Sequence, residues 1–238
     1  MRGITICVGY DDLLAISLPA NLRHLDEVMV VTSPADIRTQ ELVRQTARAR
    51  LHVTDAFYRD GATFRKGLAM EEGLDAMGRE GWLAIYDADT VWPAQIDWGF
   101  LTPGNMYTPP RRMLYEPRLW TQLLDWSRLP LKQENEWAGY TQIFHGEDPR
   151  LVSKRPWYGT DWWHAGGCDS DFQQIWPAEN KLRPGFEVLH LGPDCKNWCG
   201  RVTSRLDGQP LEDQAKRKQL MNRVERDWDF RISRLPVK

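Results

Sequence analysis

Trp82-Leu83-Ala84-Ile85-Tyr86-Asp87-Ala88-Asp89 decides how this chain is read. Five apolar residues followed at once by acids predict a buried strand that ends in a polar tip. In extended backbone, residues i and i+2 point to the same side, so Asp87 and Asp89 converge beside Thr90. Two carboxylates held that close repel each other unless a cation neutralises them. Mg²⁺ or Mn²⁺ suits such a site, because each takes hard oxygen ligands, keeps room for water and bridges phosphates. An isolated Asp-x-Asp is explained equally well by a solvated turn. Its place after the strand is what favours the metal.

Reading outward, Ile4–Val8, Glu27–Thr32 and Leu51–Thr54 are three more strand-like runs. Between them lie helix-prone Leu13–Leu25, interrupted by Pro19, and Thr39–Arg50, then Phe64–Met77, which Gly78 stops. Strands alternating with helices predict βαβ units and a mainly parallel sheet covered on both faces. Ligands of such sheets bind beyond the carboxyl ends of the strands. After Pro93 the chain becomes dense in Trp, Pro, Gly and Tyr. Tyr107–Tyr115, Tyr140–His145 and Glu187–Leu191 read as strands, Asp171–Ile175 as a short helix and Asp213–Trp228 as a charged helix.

Composition narrows the classes. The 238 residues carry 31 basic and 33 acidic side chains, a net charge of −2, which argues against a broad nucleic-acid surface. No apolar run approaches the ~20 residues of a membrane span, and the first residues lack the pattern of a secretion signal. The expected location is therefore the cytoplasm, that of the host for a viral protein, with no membrane and no evident protein partner. Twelve tryptophans predict either dense core packing or an aromatic-lined cleft.

Strand, Asp-x-Asp and then Ala165-Gly166-Gly167-Cys168-Asp169-Ser170-Asp171-Phe172 resembles the nucleotide-sugar-dependent glycosyltransferases of GT-A fold, both family-two-like and galactosyltransferase-like. Val188-Leu189-His190-Leu191 resembles the short strand whose histidine completes the metal site in several of those enzymes. The resemblance implies an α/β, Rossmann-like three-layer sandwich over residues 1–238. Residues 1–92 would form the nucleotide-sugar-binding half, 93–210 the acceptor and catalytic half, and 211–238 the C-terminal helix. It implies Mn²⁺ or Mg²⁺ held by Asp87, Asp89 and His190, with Asp89 the main ligand and Asp87 also contacting the donor ribose or a metal-bound water. Val8, Gly9 and Tyr10 would flank the nucleobase, Asp36 would bond base or ribose, and Arg65 and Lys66 would approach base or diphosphate. Asp169 would be the base that deprotonates the acceptor hydroxyl, giving inversion. Asp171 would bind acceptor or shape the helix start, where a plain N-cap serves equally.

The implied donor is a UDP-sugar. The acceptor stays open among a soluble sugar, a protein side chain and a hydroxymethylated base in DNA. For DNA, the relevant features are Arg111-Arg112, Lys154-Arg155 and Lys216-Arg217-Lys218, with Trp157, Tyr158, Trp162 and Trp163 to stack on a flipped base. A nucleotidyltransferase is disfavoured by Gly9-Tyr10-Asp11-Asp12, which puts acids where a basic phosphate loop belongs. His164, Cys168, Cys195 and Cys199 form two spaced pairs that suit a structural zinc, with reduced thiols in a Trp-rich core as the alternative and a zinc-stabilised binding module as the third class. Cys7 reads as a buried thiol in the first strand.

Overall fold

The structure, a computed structural model, describes residues 1–122, 125–132, 137, 139–211 and 213–232. Strands and helices alternate at first: β1 (Arg2–Ile6), α1 (Asp11–Asn21), β2 (Glu27–Thr32), α2 (Ile37–Gln45), β3 (Ala49–Val53), α3 (Lys66–Met77) and β4 (Trp82–Asp87). Then come β5 (Thr90–Val91), β6 (Met106–Tyr107), β7 (Arg111–Leu114), β8 (Leu131–Lys132), β9 (Thr141–His145), α4 (Pro149–Val152) and α5 (Cys168–Gln173). Strands β10 (Lys181–Leu182) and β11 (Val188–Leu191) and helix α6 (Gln214–Arg226) follow. Residues 233–238, the end of the expected C-terminal helical segment, lie outside the described residues.

Among the described residues, seven strands form one sheet in the order β10-β6-β9-β4-β1-β2-β3. Strands β4, β1, β2 and β3 run parallel, and β9 pairs antiparallel with β4. This is the mainly parallel α/β sheet that the alternation predicts. Both faces are covered. Met29 and Val31 of β2 pack with Met70 and Leu74 of α3, while Val28 and Val30 pack with Leu14 and Leu18 of α1 and Val43 of α2. The same split runs through β4, Leu83 and Ile85 facing one way and Ala84 and Tyr86 the other. Two buried faces are why these strands read as unbroken apolar runs. Helix α3 lies close on the sheet because Gly73 has no side chain; a Cβ there would overlap Val31. No helix among the described residues is long and apolar enough to cross a membrane.

The stretch 107–115 is not the one strand its sequence suggests. Tyr107 belongs to the large sheet, whereas β7 belongs to a second sheet ordered β5-β11-β7-β8. The break falls at Pro109-Pro110, which have no N–H to continue a ladder. This second sheet positions the site. Strand β11 runs antiparallel to β5 with His190 opposite Thr90, and Leu191 N–H donates to the Asp89 carbonyl at 2.8 Å. His190 is thereby tied to the tip of β4 although 100 residues separate it from Asp89 in the chain.

Candidate active site

A cleft of about 1140 Å³ opens past the carboxyl ends of β1 and β4. Its walls bring together Val8, Tyr10, Lys66, Asp87, Asp89, Asp169, His190 and Cys195 from the expected site. The chemistry is concentrated at two points.

The first point is Asp89 with His190. Nδ1 of His190 lies 3.0 Å from the Gly192 carbonyl, which only accepts, so Nδ1 carries the proton of the neutral ring. Nε2 then presents a lone pair toward Oδ1 of Asp89, 3.8 Å away. That Oδ1 is buried and has no hydrogen-bond partner. Burial is the main influence on this carboxyl and raises it above the ordinary aspartate range. Two acceptors facing one another across an unfilled hydrogen-bond gap fit a divalent cation of mixed N/O preference. Asp87 does not join them: its Oδ1 accepts from Lys66 Nζ at 2.8 Å. Among the described residues no three His, Cys, Asp or Glu side chains are gathered closely enough to hold a metal. Of the three implied ligands, Asp89 and His190 are the two that face each other.

The second point is Lys66 with Asp169. Lys66 opens α3 at the cleft wall. Burial disfavours its charge, but Asp87 and Asp169 outweigh burial and hold the ammonium above its ordinary range. Asp169 lies in the first turn of α5 and accepts N–H bonds from Gly139 at 3.1 Å and Ser170 at 2.9 Å. Burial raises its pKa, Lys66 opposes and Asp87 adds to the rise. A carboxylate so tuned, open to the cleft, is suited to accept a proton.

Other expected residues have other work. Asp36 caps α2 and accepts from Gly9 N–H at 2.7 Å, Thr39 N–H at 3.2 Å and the Thr39 hydroxyl at 2.6 Å, so it pins the Gly9 turn from outside the cleft lining. Arg65 turns away to the Thr160 carbonyl and Asp60, each at 2.6 Å. Asp171 accepts from Trp162 Nε1 at 2.7 Å and Arg231 at 3.2 Å, which shapes the start of α5. The zinc quartet is not brought together. His164 spends both ring nitrogens, donating from Nε2 to the Trp228 carbonyl and accepting at Nδ1 from Gly166 N–H, both at 3.0 Å. Cys195 is exposed at the cleft, while Cys168 and Cys199 are buried apart in different apolar clusters. Burial pushes the Cys199 thiol up to about 11, away from the thiolate that a metal takes. The aromatic row is corrected as well. Trp157, Tyr158, Trp162 and Trp163 are all buried core residues, and the cleft is faced instead by Tyr10, Trp137, Tyr140, Trp198 and Trp228.

The sequence reading misses the clamp at the Gly9 turn. Arg205 grips Asp11 through two bonds of 2.6 and 2.7 Å. Arg201 grips Asp12 the same way, bonds the Gly9 carbonyl at 2.9 Å and covers the Tyr10 ring at 4.9 Å. The only signal was a pair of acids at the start of α1, whose partners stand 189 and 194 residues away. Both arginines are buried. Arg201→Ala would leave Asp12 buried without its partner, and breaking such a pair costs about 3–5 kcal/mol. A urea titration is expected to show that loss as a lower midpoint with the same slope.

No protein-family model and no curated protein sequence matches the chain. Solved structures do. One is galactosyltransferase LgtC in complex with donor and acceptor sugar analogs: TM-score 0.43, 7% identity, 94% of this chain and 96% of that one covered. Another is the inositol-1-phosphate CTP transferase of T. maritima, at TM-score 0.48, 8% identity and coverage of 94% and 96%. A third is the 4-diphosphocytidyl-2C-methyl-D-erythritol synthase of Anaerococcus prevotii, at TM-score 0.42, 11% identity and coverage of 94% and 95%. At such scores the likeness carries no functional argument, which rests on the site.

Proposed function

We propose that this protein transfers a sugar from a nucleoside diphosphate sugar to an acceptor hydroxyl, with inversion at the anomeric carbon. The observation that carries the reading is the facing pair of Asp89 Oδ1 and His190 Nε2, 3.8 Å apart at the tip of β4. These two residues would hold Mn²⁺ or Mg²⁺, which supplies positive charge against the departing diphosphate. Asp87 orients Lys66, whose ammonium adds a second positive charge to the same wall of the cleft. Asp169 takes the proton from the acceptor hydroxyl as that oxygen bonds to the anomeric carbon. The bond from that carbon to the phosphate oxygen breaks, and its electron pair leaves with the nucleoside diphosphate. Tyr10 and Val8 border the end of the cleft where the base would lie. The preference for uridine follows from the motif resemblance.

The test needs no acceptor. A panel of nucleoside diphosphate sugars is incubated with protein and Mn²⁺, and release of the nucleoside diphosphate is followed. Slow hydrolysis of one donor, a UDP-sugar first, is expected; chelation by EDTA should stop it and added Mn²⁺ restore it. Pyrophosphate release from a nucleoside triphosphate and a sugar phosphate would instead make the protein a nucleotidyltransferase. Donor binding without turnover, indifferent to EDTA, would make it a binding module.

A further inference from the structure

Trp228 is a large apolar side chain that remains 42% exposed, yet it is held firmly. Its carbonyl accepts from His164 Nε2, and its indole lies over Gly166, where a Cβ would overlap the ring. His164 in turn accepts from Gly166 N–H. Trp198 meets Trp228 edge to face, with ring centroids 4.5 Å apart. Both rings line the cleft, and Gly166 stands three residues before Asp169. A single exposed apolar side chain is ordinary, but two indoles set edge to face on one cleft wall form a contiguous apolar surface of the kind that binding sites carry.

We propose that Trp228, backed by Trp198, is the platform on which the acceptor lies, and that the acceptor presents a hexopyranose ring to it. This rests on the glycosyl-transfer reading and names the acceptor class of that same site. Two observations favour a sugar ring over a nucleobase on a phosphodiester strand. Ser170 and Gln174 of the same cleft offer neutral hydrogen-bonding groups of the kind that sugar hydroxyls take. Asp227 and Asp229 flank Trp228, so the residues adjoining the indole in the chain are carboxylates rather than the cations that a phosphodiester would take. The apolar C–H face of a pyranose stacks on an indole, and its ring hydroxyls then reach Ser170, Gln174 and the Asp169 carboxylate.

The experiment is saturation-transfer NMR on the whole protein with UDP and Mn²⁺, using methyl α- and β-hexopyranosides as probes and 5-hydroxymethyl-2′-deoxycytidine as the competing probe. At least one pyranoside is expected to bind through its C–H face. Trp228→Ala should weaken that binding about tenfold, the scale of one lost aromatic stack, and Trp228→Phe should recover most of it. UDP affinity should stay unchanged in both variants, which separates loss of the platform from damage to the rest of the cleft. Binding of the nucleoside but of no pyranoside would overturn the proposal. So would pyranoside binding that is indifferent to Trp228→Ala. Failure of UDP binding and donor hydrolysis in the parent protein would overturn the transferase reading, while the pyranoside titration would still decide the platform.

Discussion

Asp89→Asn is expected to cut metal-dependent donor turnover on the order of a thousandfold, the upper range for one lost electrostatic stabiliser. The substitution keeps the shape of the side chain and leaves the Asp89 carbonyl that receives Leu191 N–H. It removes only the charge that faces His190. The fold should survive, because burial already disfavours that charge in the free protein. Calorimetry separates the two effects. Mn²⁺ should tighten UDP binding to the parent and leave binding to the variant unchanged, while both melt at similar temperatures. A variant that keeps its Mn²⁺ response would remove Asp89 from the metal site.

Asp169→Asn is expected to lower sugar transfer by about a thousandfold, within the range for a lost general base, and to leave donor affinity intact. Burial, opposed by Lys66, holds this carboxyl above the ordinary aspartate value of 3.8. Only the ionised form can take a proton, so the acid limb of the kcat/KM profile should lie above that value. Lys66→Met deletes the opposing charge and should push the limb to still higher pH. Stability follows the same shift. The folded state holds the Asp169 proton more tightly than the unfolded chain does, so stability falls as pH rises from 3.8 through the folded value. The Asn variant escapes that fall and should melt higher than the parent at neutral pH, with the difference vanishing in acid. A limb at the ordinary aspartate value, unmoved by Lys66→Met, would count against Asp169 as the base.

The parallel sheet could be read before any coordinates because β1, β2 and β4 are buried on both faces and show it as continuous apolar runs. That Asp87, Asp89 and Asp169 line the cleft could be read because a strand end and the Gly-Gly loop mark them locally, and His190 because its short strand resembles a known one. What escaped reading was set by distance along the chain or by brevity. Strands β5 and β8 have two residues each, too few for any period. Arg201 and Arg205 look like surface arginines until α1 is seen to receive them. Trp157 and Trp228 are indistinguishable as letters, and only packing sends one to the core and the other to the cleft wall. His164 and the cysteines had plausible metal spacing, but spacing says nothing of which way a side chain turns, and His164 turns to Gly166 and Trp228.

The clamp of Asp11 and Asp12 on Arg205 and Arg201 bears on how the molecule folds. The acids and their arginines stand 189 and 194 residues apart, and closing so long a loop is entropically costly. Until that loop closes, two carboxylates at the head of α1 stay hydrated, and the Gly9 turn lacks the bond from Arg201. A folding chain can hence pair β1 to β4 before Arg201 fixes the cleft wall at Tyr10, so that wall is set in one late step.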